Sequence, residues 1–197
     1  MQLSLFTLSV LSTVSATLSG LSYPYESQQA FIDDMLAQHN KYRALHGANP
    51  VTWNATLAQA ALNNAGSGTW AHTTNNPYGE NIATGTYTDP DYYGYLWYNE
   101  IGKYDFNNPG FSEATGHFTQ MVWASTTEIG CAVSDNVNNL GYPYSMTCEY
   151  SPAGNVVNAG YFAANVKPLV TSGAQRSVGT SVAGLMAAAA VGAYMLL

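Results

Sequence analysis

The order of two periodicities constrains this 197-residue chain most: helical spacing comes first and short β-type runs follow. Phe31, Met35, Leu36, Tyr42 and Leu45 recur at helical intervals and predict a helix over residues 28–45, closed off by Gly47 and Pro50. A second helix is expected over 56–64, with Leu57, Ala58, Ala61 and Ala65 on its buried side, a third over 92–100 and a fourth over 114–123. Residues 129–133 and 144–150 read as strands joined by an Asn- and Gly-rich hairpin connection, and 161–166 as a short last strand. Helices first and a small antiparallel sheet later imply an α+β layered domain.

Both ends read as address labels. Residues 3–14 are apolar and precede Val14-Ser15-Ala16, whose small residues suit signal-peptidase cleavage after Ala16, although the usual basic start is missing. Residues 1–16 are therefore expected to be a signal peptide, and the mature protein to be secreted. At the other end, the apolar tail 182–197 follows small residues and a polar spacer, the order of a signal for a glycosylphosphatidylinositol (GPI) anchor with Ser172 or Gly173 as attachment residue. The competing reading is a tail helix that stays in the bilayer, for which the run is short against the ~20 apolar residues of a span. Residues 25–167 remain as one domain, and 168–197 as linker and anchor signal, giving a protein of the cell surface or wall.

Charge narrows the partners. Only 9% of residues are charged, the net charge is -7, and just five are Lys or Arg. Nucleic-acid binding is excluded by the lack of clustered bases, and contact with membrane is expected through the anchor alone. In a secreted chain Cys131 and Cys148 are expected to form a disulfide, worth about 3 kcal/mol by chain entropy. Asn54-Ala55-Thr56 is an N-glycosylation sequon, and beside it stands a second reading in which Thr52, or Asn54 itself, is a helix N-cap.

His72, Glu80, Glu100 and His117 offer two imidazoles and two carboxylates, a set that zinc or another divalent metal accepts if the fold gathers it. Sequence spacing does not gather them, and each histidine singly reads as an ordinary hydrogen-bonded residue. His39 and His46 have no neighbouring acidic or histidine motif and keep that reading. Tyr104, Phe106 and Phe111 stand in a segment whose Asn, Pro and Gly disfavour helix or strand, so a mobile aromatic loop is expected. The rings serve either as a lipid-binding surface or as anchors pinning the loop to the core.

Four segments together change these odds. His39-Asn40-Lys41-Tyr42-Arg43, Gly79-Glu80-Asn81-Ile82-Ala83, the run 116–123 and the run 148–155 give the chain a resemblance to the CAP superfamily: cysteine-rich secretory proteins, antigen 5 and pathogenesis-related-1 proteins. Trp97-Tyr98-Asn99-Glu100 with Tyr104-Asp105-Phe106 looks most like its fungal secreted branch. The resemblance covers residues 31–166. It implies an α-β-α sandwich in which His72, Glu80, Glu100 and His117 converge on a central cavity able to take zinc or magnesium, with no cofactor required. It also implies sterol binding by Tyr104, Phe106 and Phe111, with fatty acid as a further guest. Ala65 stands where a relative's further cysteine is expected, so fewer disulfides are implied.

The expected function is thus a secreted or cell-surface lipid-binding protein, not an enzyme, that exports or sequesters sterol. Two alternatives stand beside it: a metal-dependent hydrolase using the His/Glu cavity, and a surface interaction or virulence protein.

Overall fold

The computed structural model describes residues 27–86, 89–135, 141–170 and 194–196. The proposed signal peptide and the attachment residues Ser172 and Gly173 lie outside them. Among the described residues no helix is long and apolar enough to cross a membrane.

Helix α1, Gln28–Leu45, starts where the Ser27 hydroxyl accepts from the Ala30 N–H, and Gly47 ends it in a left-handed turn at φ 66°. Its inward face holds Phe31 and Met35 but also Gln38, His39 and Arg43. Those polar groups are the reason the motif on this helix exists. The Arg43 guanidinium, 1% exposed, donates to the carbonyls of Asn49, Met121, Trp123 and Thr126. A buried cation is tolerable only when so many acceptors replace water. Asn40 binds Val51 through both its amide groups, and His39 joins the Met35 carbonyl to the Tyr150 hydroxyl. Burial lowers the His39 pKa to about 4, so it is a neutral core residue.

Helix α2, Ala55–Ala65, begins at Asn54, whose Oδ1 accepts from the N–H groups of Thr56 (2.8 Å) and Leu57 (3.3 Å). Its apolar residues Leu57, Ala58, Ala61 and Ala65 are all buried. Helix α3, Pro90–Asn99, is capped by Asp89 and has proline in its first turn, then tightens into a 3-10 turn over Glu100–Lys103. Helix α4, Gly116–Met121, is shorter than its pattern suggested and every residue of it is buried.

Strands β1 (Thr52–Trp53), β2 (Gly79–Gly85), β3 (Glu128–Ser134), β4 (Tyr144–Ser151) and β5 (Tyr194–Leu196) form one sheet in the order β1-β3-β4-β2-β5. The sheet is mixed: β1 runs parallel to β3, and the other pairings are antiparallel. Helix α2 covers one face against β3 and β4, while α1 and α4 pack on the other with α3 outside them. This is an α-β-α sandwich. Gly130 permits the close approach of α2, since a side chain there would stand 2.1 Å from the Ala58 nitrogen. Cys131 and Cys148 face each other across β3 and β4 and form the expected disulfide.

Two features correct the sequence reading. The segment expected as a last strand is a short helix α5, Tyr161–Asn165, because the left-handed Gly160 turns the chain and Phe162 then packs on Trp123. Strand β2 was not anticipated as a strand. Its two glycines and few bulky residues carry no strong alternation, and it is defined by seven register pairs with β4.

Candidate functional site

The four candidate ligands stand as two imidazole–carboxylate pairs. His117, on the first turn of α4, bonds through Nδ1 to Glu100 Oε1 at 2.8 Å, and its ring stacks at 5.9 Å on Trp97 of α3. The second oxygen of Glu100 accepts from the Phe118 N–H at 3.0 Å. Thr115 makes no side-chain cap bond, so Glu100 supplies the anion that this helix start favours. The pair is sealed, with side chains 1% and 7% exposed.

The second pair sits in a wetter place. His72, in the loop before β2, bonds through Nδ1 to Glu80 Oε1 at 2.7 Å, and its side chain is 34% exposed. Thr73 donates to Glu80 through both its N–H and its hydroxyl. Burial raises the Glu80 carboxyl, but bonds from His72, Glu149 and Thr73 outweigh it and its pKa is lowered. Glu149 is the residue the sequence reading missed. It faces Glu80 directly across the β2–β4 ladder, takes a 2.8 Å bond from Asn76 on Oε2, and has its other oxygen buried without a hydrogen-bond partner. Burial first, and then the Glu80 carboxylate beside it, push the Glu149 pKa up to about 9. Glu149 is therefore protonated at neutral pH. The signal for it was the register of two strands, one of them unpredicted.

A cavity of about 190 Å³ opens beside this second pair, lined by His72, Glu80, Asn81, Phe111, Gln120 and Asn155 with glycines between. Gln120 forms its floor by accepting from the Gly154 N–H, and glycine is required there because a side chain at Gly79 or Gly154 would strike the Gln120 amide. Asn155, at φ 56°, ties Gly116 and Thr119 of α4 to the wall. The cavity is smaller than the ~300 Å³ at which pockets for drug-sized ligands begin, so it suits a small polar guest and not a sterol.

Each imidazole engages its carboxylate through Nδ1, the nitrogen that a metal-ligating histidine leaves to such a partner, and among the described residues no group of three or more His, Cys, Asp or Glu is placed to share one ion. The carboxylates orient imidazoles here, the role such groups have behind a metal ligand.

The three aromatic residues divide between two places. Tyr104 and Phe106 meet edge to face at 4.9 Å and lie half-buried on Phe118, with Phe106 also stacked on His46 at 6.2 Å. His46 is itself fixed between the Lys167 carbonyl and the Tyr98 hydroxyl. Phe111 is 47% exposed, touches Phe162 and forms the rim of the His72–Glu80 cavity.

The chain is thus an α-β-α sandwich that carries one carboxylate-held imidazole at Glu80 of β2 and another at His117 of α4. The chain belongs to the CAP family: residues 36–150 match the cysteine-rich secretory protein family. It is 46% identical over 144 residues to Protein PRY2 of Saccharomyces cerevisiae, covering 71% of this chain and 42% of that protein. It is 41% identical over 133 residues to Secreted protein RBT4 of Candida albicans, covering 64% of this chain and 36% of that one. The chain thus spans less than half the length of these fungal relatives. Among solved structures, that of BmVAL-1 superposes with a TM-score of 0.57 at 24% identity over 74% of this chain and 84% of that one, a likeness of fold. Fungal CAP relatives that carry the word secreted in their names support secretion of this chain.

Proposed function

We propose that this protein is a non-enzymatic, secreted CAP domain that binds sterol or another flat apolar lipid beneath the loop of Tyr104 and Phe106. The observation that carries the reading is the packing of these rings. They are half-buried, sit on a segment without regular structure, and cover the wholly buried Phe118 ring. Gly102 and Gly110 flank the segment, and a side chain at either would point into open space. A guest taking the place of the rings would gain about 25 cal/mol per Å² of apolar surface covered. After the cost of association and of displacing two rings, micromolar affinity is the expected range.

Phe111 has a different part in this reading, because it guards the polar cavity and not the floor under Tyr104. Labelled cholesterol or ergosterol titrated into the purified secreted protein tests the proposal. Phe106→Ala is expected to weaken saturable binding about tenfold, the loss of one well-covered ring, and Phe111→Ala to weaken it less. Binding that survives Phe106→Ala unchanged would place the lipid elsewhere. The GPI anchor belongs to the same proposal: release of the protein from intact cells by a phosphatidylinositol-specific phospholipase is expected, and its failure would favour a retained tail or a free secreted form.

A further inference from the structure

We propose that Asn54 carries an N-linked glycan on Nδ2 while its Oδ1 continues to cap α2. The inference rests on passage through the secretory route, as in the function proposed above, and adds a modified atom and a consequence for the sheet.

Asn54 sits between β1 and α2, where every polar atom but one is engaged. Its N–H donates to the Ile129 carbonyl at 2.8 Å, its carbonyl accepts from Ala58 at 3.0 Å, and Oδ1 holds the N–H groups of Thr56 and Leu57. Nδ2 makes no hydrogen bond among the described residues. The next two residues, Ala55 and Thr56, are exposed, and Asn54 itself is partly so. The Asn-Ala-Thr sequon is therefore presented at a surface turn with its reactive nitrogen free.

Cap and glycan do not compete for the same atom. In the transfer, Nδ2 attacks the anomeric carbon of a lipid-linked oligosaccharide diphosphate. The C–N bond forms, the C–O bond to phosphate breaks, the lipid diphosphate leaves with the bonding pair, and one amide proton is lost. No oxidation occurs. The product is still an amide, so its carbonyl oxygen keeps the acceptor strength that the helix start needs. A glycan placed here projects beside β1, which among the described residues is an outer strand of the sheet and pairs with β3 alone. Thr52 on that strand is exposed, and an unpaired edge is the part of a sheet most open to pairing with other chains. The glycan would cover it.

Three variants of the full chain, expressed in a eukaryotic secretory host, separate the two roles of Asn54. Thr56→Ala keeps the cap and destroys the sequon; Asn54→Asp keeps a capping oxygen and removes the acceptor nitrogen; Asn54→Ala removes both. For the wild type, peptide N-glycosidase is expected to lower the mass of most secreted molecules by one glycan and convert Asn54 to Asp in the corresponding peptide. Thr56→Ala and Asn54→Asp should show neither change, and Asn54→Ala should also melt below Asn54→Asp. Secreted wild-type protein with Asn54 unmodified in most molecules overturns the inference and leaves the lipid reading standing. A chain that reaches neither medium nor cell surface overturns secretion, and this inference with it.

Discussion

The His117–Glu100 and His72–Glu80 pairs have the same chemistry and nearly the same bond, 2.8 Å against 2.7 Å, yet they sit in opposite surroundings. The first is enclosed by Trp97 and α4 and spends its spare oxygen on a helix start. The second has an imidazole a third exposed, a cavity beside it, and a further carboxyl pressed against it. The comparison teaches that a shared residue pattern serves two ends here: one pair holds two helices together, and the other keeps a polar wall reachable from solvent.

The largest effect expected from breaking the comparison comes from the enclosed pair. Glu100→Ala removes a buried acceptor from both His117 and the Phe118 N–H, and a loss of about 3 kcal/mol is expected in chemical denaturation. Glu80→Ala should cost less than Glu100→Ala: the Glu80 carboxylate is itself buried, with its side chain 4% exposed, but its partners His72 and Thr73 can turn to water. Equal losses in the two variants would mean that the pairs differ in exposure but not in structural role.

How much of this was legible in the sequence follows from the range over which each feature is determined. Helices α1 and α2 were readable because their buried residues recur at helical intervals and Asn54 and Gly47 mark their ends. The hairpin of β3 and β4 was readable from its apolar runs, and the disulfide from the count of cysteines. Strand β2 was not, since Gly79 and Gly85 weaken it locally and only its ladder with β4 makes it a strand. The same long-range register hid Glu149. In α5 the sequence Tyr-Phe-Ala-Ala-Asn is too short for either period to show, and Gly160 decided the outcome through a turn. The pairing of His72 with Glu80 and of His117 with Glu100 likewise belongs to the fold and not to spacing.

Glu149 gives the comparison a pH signature of intermediate size. Its folded pKa of about 9 lies above the ~4.3 of a free glutamate, so the carboxyl contributes stability that is complete below the unfolded value and lost as pH rises toward the folded one. Glu149→Gln removes that dependence while preserving a group able to donate toward Glu80. Denaturation series at several pH values should find the variant and wild type alike near pH 4, and the variant increasingly the more stable as pH rises to 8. A constant difference across that range would mean that the carboxyl is not held protonated by its neighbour.

The smallest effect is expected at His72. Its side chain is 34% exposed, and without it Glu80 still accepts from the Thr73 N–H at 2.9 Å and the Thr73 hydroxyl at 2.7 Å. His72→Ala should therefore shift stability by only about 0.5 kcal/mol, the scale of one solvent-screened pair. His117→Ala should cost several times more, because it opens a void beside Trp97 and leaves Glu100 buried with a single donor on α4. If His72→Ala proved as damaging as His117→Ala, the loop before β2 would have to be part of the rigid core, and the cavity beside it would be a packing defect with no claim to bind anything.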